Sequence, residues 1–263
     1  MAAKSANWAL VTGATGGLGR AFAQGLARRG YNLVLTARGK NALETLAASL
    51  VAAHGIEVAT ESCDLSVPGA GAALKAALDT RDIAVETLIN NAGFGVHGRF
   101  TERTAEQELG MVDVNVRALT ELTHVFAADM AARGGGHILL VASTAAFQPI
   151  PGYAVYAASK AYVLALGHGL NIELAHRKVV VSVTCPGPTE TEFWSHAGHR
   201  LDRLARAIIM KPDTVAEAGL DALYAGRASI VTGWVNKLIT FPGRFAPRSL
   251  QARVAAFFMR NRR

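Results

Sequence analysis

The chain has 263 residues, 51% hydrophobic content and a formal net charge of +7, enough for a large buried core in one large or two small α/β units. No uninterrupted apolar run reaches the ~18 residues of a spanning helix, and the two cysteines, Cys63 and Cys185, each sit in strand-like sequence, which argues against both a disulfide framework and a metal site. The charge excess is local: from Trp234 onward there is no Asp or Glu, while Lys237, Arg244, Arg248, Arg253, Arg260, Arg262 and Arg263 equal the whole +7, so no basic nucleic-acid-binding face is expected on the body.

Met1 to Asn7 leads straight into an apolar strand without the longer apolar region of a secretory signal, so a cytoplasmic protein is expected. Trp8 to Thr12 is that strand. Gly13, Gly16, Gly17 and Gly19 follow it, and Leu18, Phe22 and Leu26 then recur at helical spacing. Strand, glycine turn and helix together make a dinucleotide cradle, because glycine lets the backbone approach a pyrophosphate and the helix N-terminus supplies amide donors. Tyr31 to Thr36 reads as the second strand. A carboxylate at its end would accept from an adenosine ribose 2′-hydroxyl, but the chain places Ala37 and Arg38 there, with Lys40 close by, which suits the 2′-phosphate of NADP.

Leu43, Leu46 and Leu50 mark a helix from Asn41 to His54, and Glu57 to Cys63 reads as a third strand ending at Asp64. Asp64 either caps the next helix or holds the adenine edge of a nucleotide; both roles lie at the carboxyl edge of an open α/β sheet, where ligands gather. After a helix from Ala70 to Leu78, the fourth strand, Glu86 to Asn90, enters the polar turn Asn91-Ala92-Gly93. Thr104 to Arg133 is one long helical segment that includes a buried-looking Asn115, a residue that needs hydrogen-bond partners. His137 to Ala142 is the fifth strand and delivers Ser143 at its tip.

Tyr156-Ala157-Ala158-Ser159-Lys160 opens the next helix, which runs to about Ala175. Residues four apart share a helix face, so the Tyr156 hydroxyl and the Lys160 ammonium can meet in one cleft. A phenol of pKa near ~10 is a poor acid–base group at neutral pH, and a fixed positive charge beside it lowers that value. Val179 to Thr184 is the sixth strand, followed by Pro186-Gly187-Pro188-Thr189-Glu190-Thr191 and a lid-like segment with Phe193, Trp194, His196 and His199. Those histidines lack partners at ligand spacing, so a metal is not expected. Asp213 to Tyr224 is a further helix and Ser229 to Thr232 a last strand. Without an intervening linker, the alternation predicts an α/β fold with a single Rossmann-like, doubly wound parallel sheet and helices on both faces.

With Thr12-Gly13-Ala-Thr-Gly-Gly17-Leu-Gly19, Asp64, Asn90-Asn91-Ala92-Gly93, Asn115, Ser143, Tyr156-Ala-Ala-Ser-Lys160 and Pro186-Gly187 with Thr191, the chain resembles the short-chain dehydrogenase/reductase family. The resemblance implies cofactor contacts from Gly13, Thr15, Gly16, Gly17, Leu18 and Gly19 after the first strand, and from Arg38, Asp64 and Leu65 after the second and third. Asn91, Ala92 and Gly93 follow, then Pro186, Gly187, Thr189 and Thr191, with Tyr156 and Lys160 themselves. It implies Tyr156 as proton donor or acceptor, Ser143 as holder of the carbonyl oxygen, Lys160 as modulator of the phenol and partner of the nicotinamide ribose, and Asn115 as holder of a water that refills the proton. Helices like Thr104–Arg133 and Tyr153–Ala175 commonly pair subunits in such enzymes, so a homodimer or homotetramer is expected. Apolar residues outside one stripe of the second helix, including Leu164, Leu166 and Leu170, agree with that.

Residues 1–233 would form the NADP-binding domain and 234–263 a basic amphipathic extension, similar to the family's branch of reductases for long-chain acyl and lipid-like substrates. Phe94, Val96, Phe147, Phe193 and Trp194 are the expected walls of an apolar substrate pocket. Two other readings keep the fold: a non-catalytic NADP-sensing module, and a membrane-surface protein working through residues 244–263. In that last stretch Leu250, Val254, Phe257 and Phe258 share a helix face bordered by Arg253 and Arg260.

Overall fold

The computed structural model describes residues 7–191 and 209–260, without the side chains of Arg244 and residues 258–260. Seven strands form one sheet: β1 (Trp8–Thr12), β2 (Asn32–Ala37), β3 (Val58–Ser62), β4 (Val85–Asn90), β5 (Gly136–Val141), β6 (Val179–Cys185) and β7 (Ser229–Val231). Their order is β3-β2-β1-β4-β5-β6-β7 and every pairing is parallel. Parallel strands need helical crossovers, which cover both faces and bury the strands completely. Ala9, Leu10 and Val11 of β1 are accordingly inaccessible to solvent.

Successive strand residues point to opposite faces, and the core divides that way. Leu10, Val34, Leu88, Ile138, Leu140, Val181 and Val183 pack on one side with α3 (Ala70–Asp79), α5 (Leu119–Arg133) and α6 (Ala154–Glu173). Ala9, Val11, Leu33, Leu35, Ile89, Leu139 and Val141 pack on the other with α1 (Gly17–Arg28), α2 (Lys40–His54) and α7 (Pro212–Tyr224). This is the expected doubly wound sheet. Strand order reverses between β1 and β4, so a crevice opens beyond their carboxyl ends.

The long helical segment is not uniform. α4 (Ala105–Val112) starts on a capping box between Thr104 and Gln107, and a single π-helical turn, Asp113–Ala118, joins it to α5. Apolar spacing over one turn does not separate an i→i+5 bond from an i→i+4 bond, so periodicity could not register the change. On α6, Leu164, Leu166 and Leu170 are half-buried against the first core rather than free on the surface. Beyond β7 the chain continues as α8 (Trp234–Thr240), which the sequence reading had not identified as a helix, and α9 (Arg248–Arg260), which it had. The expected lid residues Phe193, Trp194, His196 and His199 lie outside the described residues. Among the described residues no helix is long and apolar enough to cross a membrane, and no group of His, Cys, Asp or Glu gathers as a metal requires.

Candidate active site

The turn after β1 is tied to the turn after β4 through Thr12, which is fully buried. Its Oγ1 accepts from the backbone N–H groups of Asn91 and Ala92, each at 2.9 Å, while Asn91 Nδ2 donates to Thr12 O at 2.8 Å. Gly13 has φ +63° with Ala92 Cα 3.0 Å from where its Cβ would stand, so a side chain is excluded both sterically and conformationally. At Gly19 a Cβ would run into the Gly13 carbonyl oxygen. Gly16 caps α1 without any side-chain hydrogen bond, which leaves the amides and positive dipole end of the helix facing the crevice. Arg20 Nε stiffens the loop from outside by donating to Thr15 O at 2.8 Å, and Leu18 packs on the second core. Thr191 closes the far side: a Cβ on Gly17 would lie 2.8 Å from its Cγ2. This cradle, walled by backbone at Gly19, by backbone and Asn91 at Gly13, and by Thr191 at Gly17, fits a dinucleotide pyrophosphate.

Arg38 is exposed just past β2, with its carbonyl accepting from Ser62 Oγ at 2.9 Å. Asp64 Oδ1 accepts from Ser66 N at 2.9 Å and Ser66 Oγ at 2.8 Å. Those two bonds, with a smaller contribution from the Arg38 charge, hold its carboxyl below the usual range. Asp64 therefore caps its own turn and not α3, whose N-cap is Gly69. Leu65 is buried in the first core, so only its main chain can face a nucleotide.

Ser143 sits between β5 and a short 3₁₀ turn, Thr144–Phe147, where its Oγ accepts from Ala145 N at 3.1 Å. It also hydrogen-bonds the Tyr156 phenol. One helical turn on, Lys160 is 4% exposed; its Nζ donates to Val141 O at 2.9 Å and stands 5.9 Å from the centre of the Tyr156 ring. Gly93 brings the β4 turn into the same corner, since a Cβ there would lie 3.3 Å from Lys160 Nζ and 2.9 Å from Asn115 Oδ1. Asn115, in the π turn, accepts from Phe94 N at 3.0 Å and donates to Phe94 O at 2.8 Å and Ser159 Oγ at 3.1 Å. Both amide hydrogens are committed. The side chain thus fastens the β4 loop to α6, and it has no amide hydrogen left for a water.

The electrostatics depart from expectation. Burial pushes the Tyr156 phenol up to about 12, opposed by the Ser143 hydrogen bond. Burial also pulls Lys160 down to about 8, with nearby Cys185 acting the other way. The sequence predicted a phenol lowered by its lysine; in the folded chain, desolvation of both groups outweighs that attraction. Cys185 is the expected core thiol, raised to about 12 by burial although Lys160 counteracts it.

Pro186 and Gly187 turn the chain back after β6, and Thr189 is nearly buried with its Oγ1 donating to Gly187 O at 3.0 Å. Three supporting residues escaped the sequence reading. Arg103, nearly buried, pairs with Glu108 at 2.6 Å and donates to His97 O at 3.0 Å, which fixes the loop after Phe94. Arg117 Nη2 donates to Ser66 O at 2.6 Å and steadies the Asp64 turn. Asn236 fills the space beside Gly187 and donates to Thr232 O at 2.9 Å. Apart from the Arg103–Glu108 pair, their partners come from distant sequence or from the backbone, and no spacing rule points to them.

The expected pocket walls are only partly assembled. Phe94 belongs to the Asn115 clasp, and Val96 lines a cavity of about 20 Å³ with Phe100 and Met111. Phe147 lines a larger groove of about 370 Å³ with Pro149, Ile150, Pro151, Ala158 and Arg248. That groove runs along a face of α6 other than the one bearing Tyr156 and Lys160.

A family model described as short chain dehydrogenase matches residues 7–202. The very-long-chain 3-oxoacyl-CoA reductase of Laccaria bicolor is 32% identical over 251 residues, covering 91% of this chain and 72% of that protein. A short-chain dehydrogenase from Sphingobium yanoikuyae in complex with NADPH has a TM-score of 0.81 at 34% identity, covering 91% of this chain and 93% of the other. The bulky-bulky ketone specific alcohol dehydrogenase from Comamonas testosteroni has a TM-score of 0.77 at 30% identity, again covering 91% and 93%. Sheet order, glycine cradle and these similarities agree: the chain belongs to the short-chain dehydrogenase/reductase family, oxidoreductases acting on CH–OH groups.

Proposed function

We propose that the chain interconverts a carbonyl and an alcohol on a bulky, apolar substrate, using NADP(H), with Tyr156 as acid and base. The observation that carries this reading is the convergence of Ser143, Tyr156, Lys160 and the Asn115-held β4 turn beside the glycine cradle. When bound, a nicotinamide cofactor supplies or accepts the hydride. In reduction Tyr156 Oη gives its proton to the carbonyl oxygen; in oxidation the phenolate removes the alcohol proton. Ser143 Oγ donates to the same oxygen and stabilises the charge that develops there. Lys160 Nζ spends one donor on Val141 O, which fixes its position and leaves two for ribose hydroxyls. Its remaining charge favours ionisation of the phenol against the effect of burial.

Asn115 acts through position, by holding Phe94 and Ser159 from within the π turn. Such a turn rearranges main-chain bonding, and a carbonyl it frees would bind the water that returns a proton through Lys160. NADP is favoured by exposed Arg38 and the absence of a carboxylate at Ala37, and by the NADPH bound in the Sphingobium yanoikuyae structure. A bulky apolar substrate is favoured by the names of the Laccaria bicolor and Comamonas testosteroni proteins.

The test begins by following NADPH absorbance over a series of ketones of increasing alkyl size. With the best of them, Tyr156→Phe should keep NADPH binding and lose ~10²–10⁴-fold in kcat, because only the proton donor is removed. Wild-type turnover by the Phe variant would refute the assignment.

A further inference from the structure

The two helices beyond β7 face the wrong way for a globular protein. α8 buries Asn236 and Thr240 and leaves Trp234, Leu238 and Ile239 outside at 74%, 62% and 56% exposure. Phe241, just past its end, is also exposed and packs edge-on against exposed Phe245. α9 buries Ala255, ties Gln251 Nε2 to Gly243 O and Ala246 O, and leaves Leu250, Val254 and Phe257 exposed. The outward faces follow one pattern. Apolar residues at 234, 238 and 241 have Lys237 among them, and apolar residues at 250, 254 and 257 have Arg253 at the equivalent place. Asn236 of α8 abuts Gly187 at the site, and Arg248 of α9 borders the groove with Phe147 and Pro149 on the other face of α6.

We propose that α8 and α9, through Trp234, Leu238, Phe241, Leu250 and Val254 with the cations between them, dock the enzyme on an anionic lipid bilayer. Among the described residues, α8 and α9 meet the body through Val235, Asn236, Thr240, Gln251 and Ala255, while Trp234, Leu238, Ile239, Phe241, Leu250 and Val254 stay exposed. A second copy is disfavoured by charge. An isologous contact would bring two copies of the same patch together, with Lys237, Arg248 and Arg253 on each side, and the segment holds no Asp or Glu to relieve them. Large apolar side chains interleaved with cations match an interface where rings enter the acyl boundary and ammonium or guanidinium groups stay among anionic headgroups. The proposal is independent of which carbonyl compound is reduced.

The full chain is co-sedimented with phosphatidylglycerol–phosphatidylcholine vesicles and with pure phosphatidylcholine vesicles. Strong binding to the first and weak binding to the second are expected. Each basic residue at the surface is worth about fivefold in partitioning, so Lys237→Gln with Arg253→Gln should lower it roughly thirtyfold. Phe241→Ser with Leu250→Ser should lower it as well. All four side chains are exposed, so melting temperature and turnover of a water-soluble ketone should stay unchanged, which separates this test from that of the reaction. Failure to sediment with anionic vesicles would overturn the proposal, as would variants that bind like the wild type. If the substitutions instead dissociate an oligomer in the absence of lipid, the face belongs to a second copy.

Discussion

At Lys160 two demands conflict: the ammonium is wanted for its charge and is held where charge is penalised. With its pKa near 8, it loses its proton well below the 10.5 of a free lysine, whereas Tyr156 keeps its own to about 12. The phenol therefore stays protonated through the range in which the lysine discharges. Ketone reduction should show kcat/KM falling with one proton as pH rises through about 8, and Lys160→Arg, which keeps its charge, should move that break upward; a pH–rate profile of the two proteins checks it. For stability the sign is the reverse. Between about 8 and 10.5 the unfolded chain holds the proton that the folded chain has released, so this group's penalty is present below about 8 and relieved as pH rises through that window. Arg38 carries a second expectation: Arg38→Ala should weaken NADPH about tenfold to a hundredfold and leave NADH nearly unchanged, measured by titrating each cofactor. The Tyr156–Lys160 pair could be proposed from its spacing and Arg38 from its place after β2, whereas the role of Ser143 came from the family resemblance. What surrounds them was not legible: the burial that sets both pKa values, and the Phe94 and Ser159 partners of Asn115, arise from strands and helices brought together by the fold.

Among the elements, α6 has two working faces. Tyr156, Lys160 and Val163 turn inward, while Ala158, Tyr162, Ala165, Gly169 and Ile172 form an exposed stripe outside. Tyr162 Oη and Thr120 Oγ1 lie 2.8 Å apart and join α6 to the α4–α5 rod, where Leu109 and Val112 are also exposed. Small residues along a helix allow close approach by another helix, and exposed Leu, Val, Tyr and Ile supply apolar area for it. We expect a dimer at micromolar concentration, with Tyr162→Glu and Ile172→Glu together shifting it to monomer in sedimentation equilibrium. Leu164, Leu166 and Leu170, expected to serve such pairing, lean on the core instead, and the exposed stripe takes their place. Helix existence was readable from apolar period, whereas the π turn was not, since one longer turn barely disturbs that period. α8 was missed because its buried face is polar, the reverse of the usual signal.

For the whole molecule, the doubly wound parallel sheet with helices on both faces followed from the alternation of apolar runs and helical segments, because a fully parallel sheet has few ways to bury both faces; the strand order came from the structure. The segments that follow β1 to β6 at one sheet edge then carry the proposed site residues, apart from Asn115 in the π turn and Tyr156 and Lys160 on α6. The join at Asp113–Ala118 is set by something other than side-chain chemistry. An i→i+5 turn encloses one residue more than its neighbours, so it is a matter of counting rather than of side-chain type. Point substitution neither makes nor removes it. Losing a single codon there would restore a regular helix with α4 and α5 close to their present register. Asn115 would then lose its place beside Gly93 while almost every other contact in the protein survived. A lineage can thus gain or abandon this arrangement only through a three-nucleotide insertion or deletion.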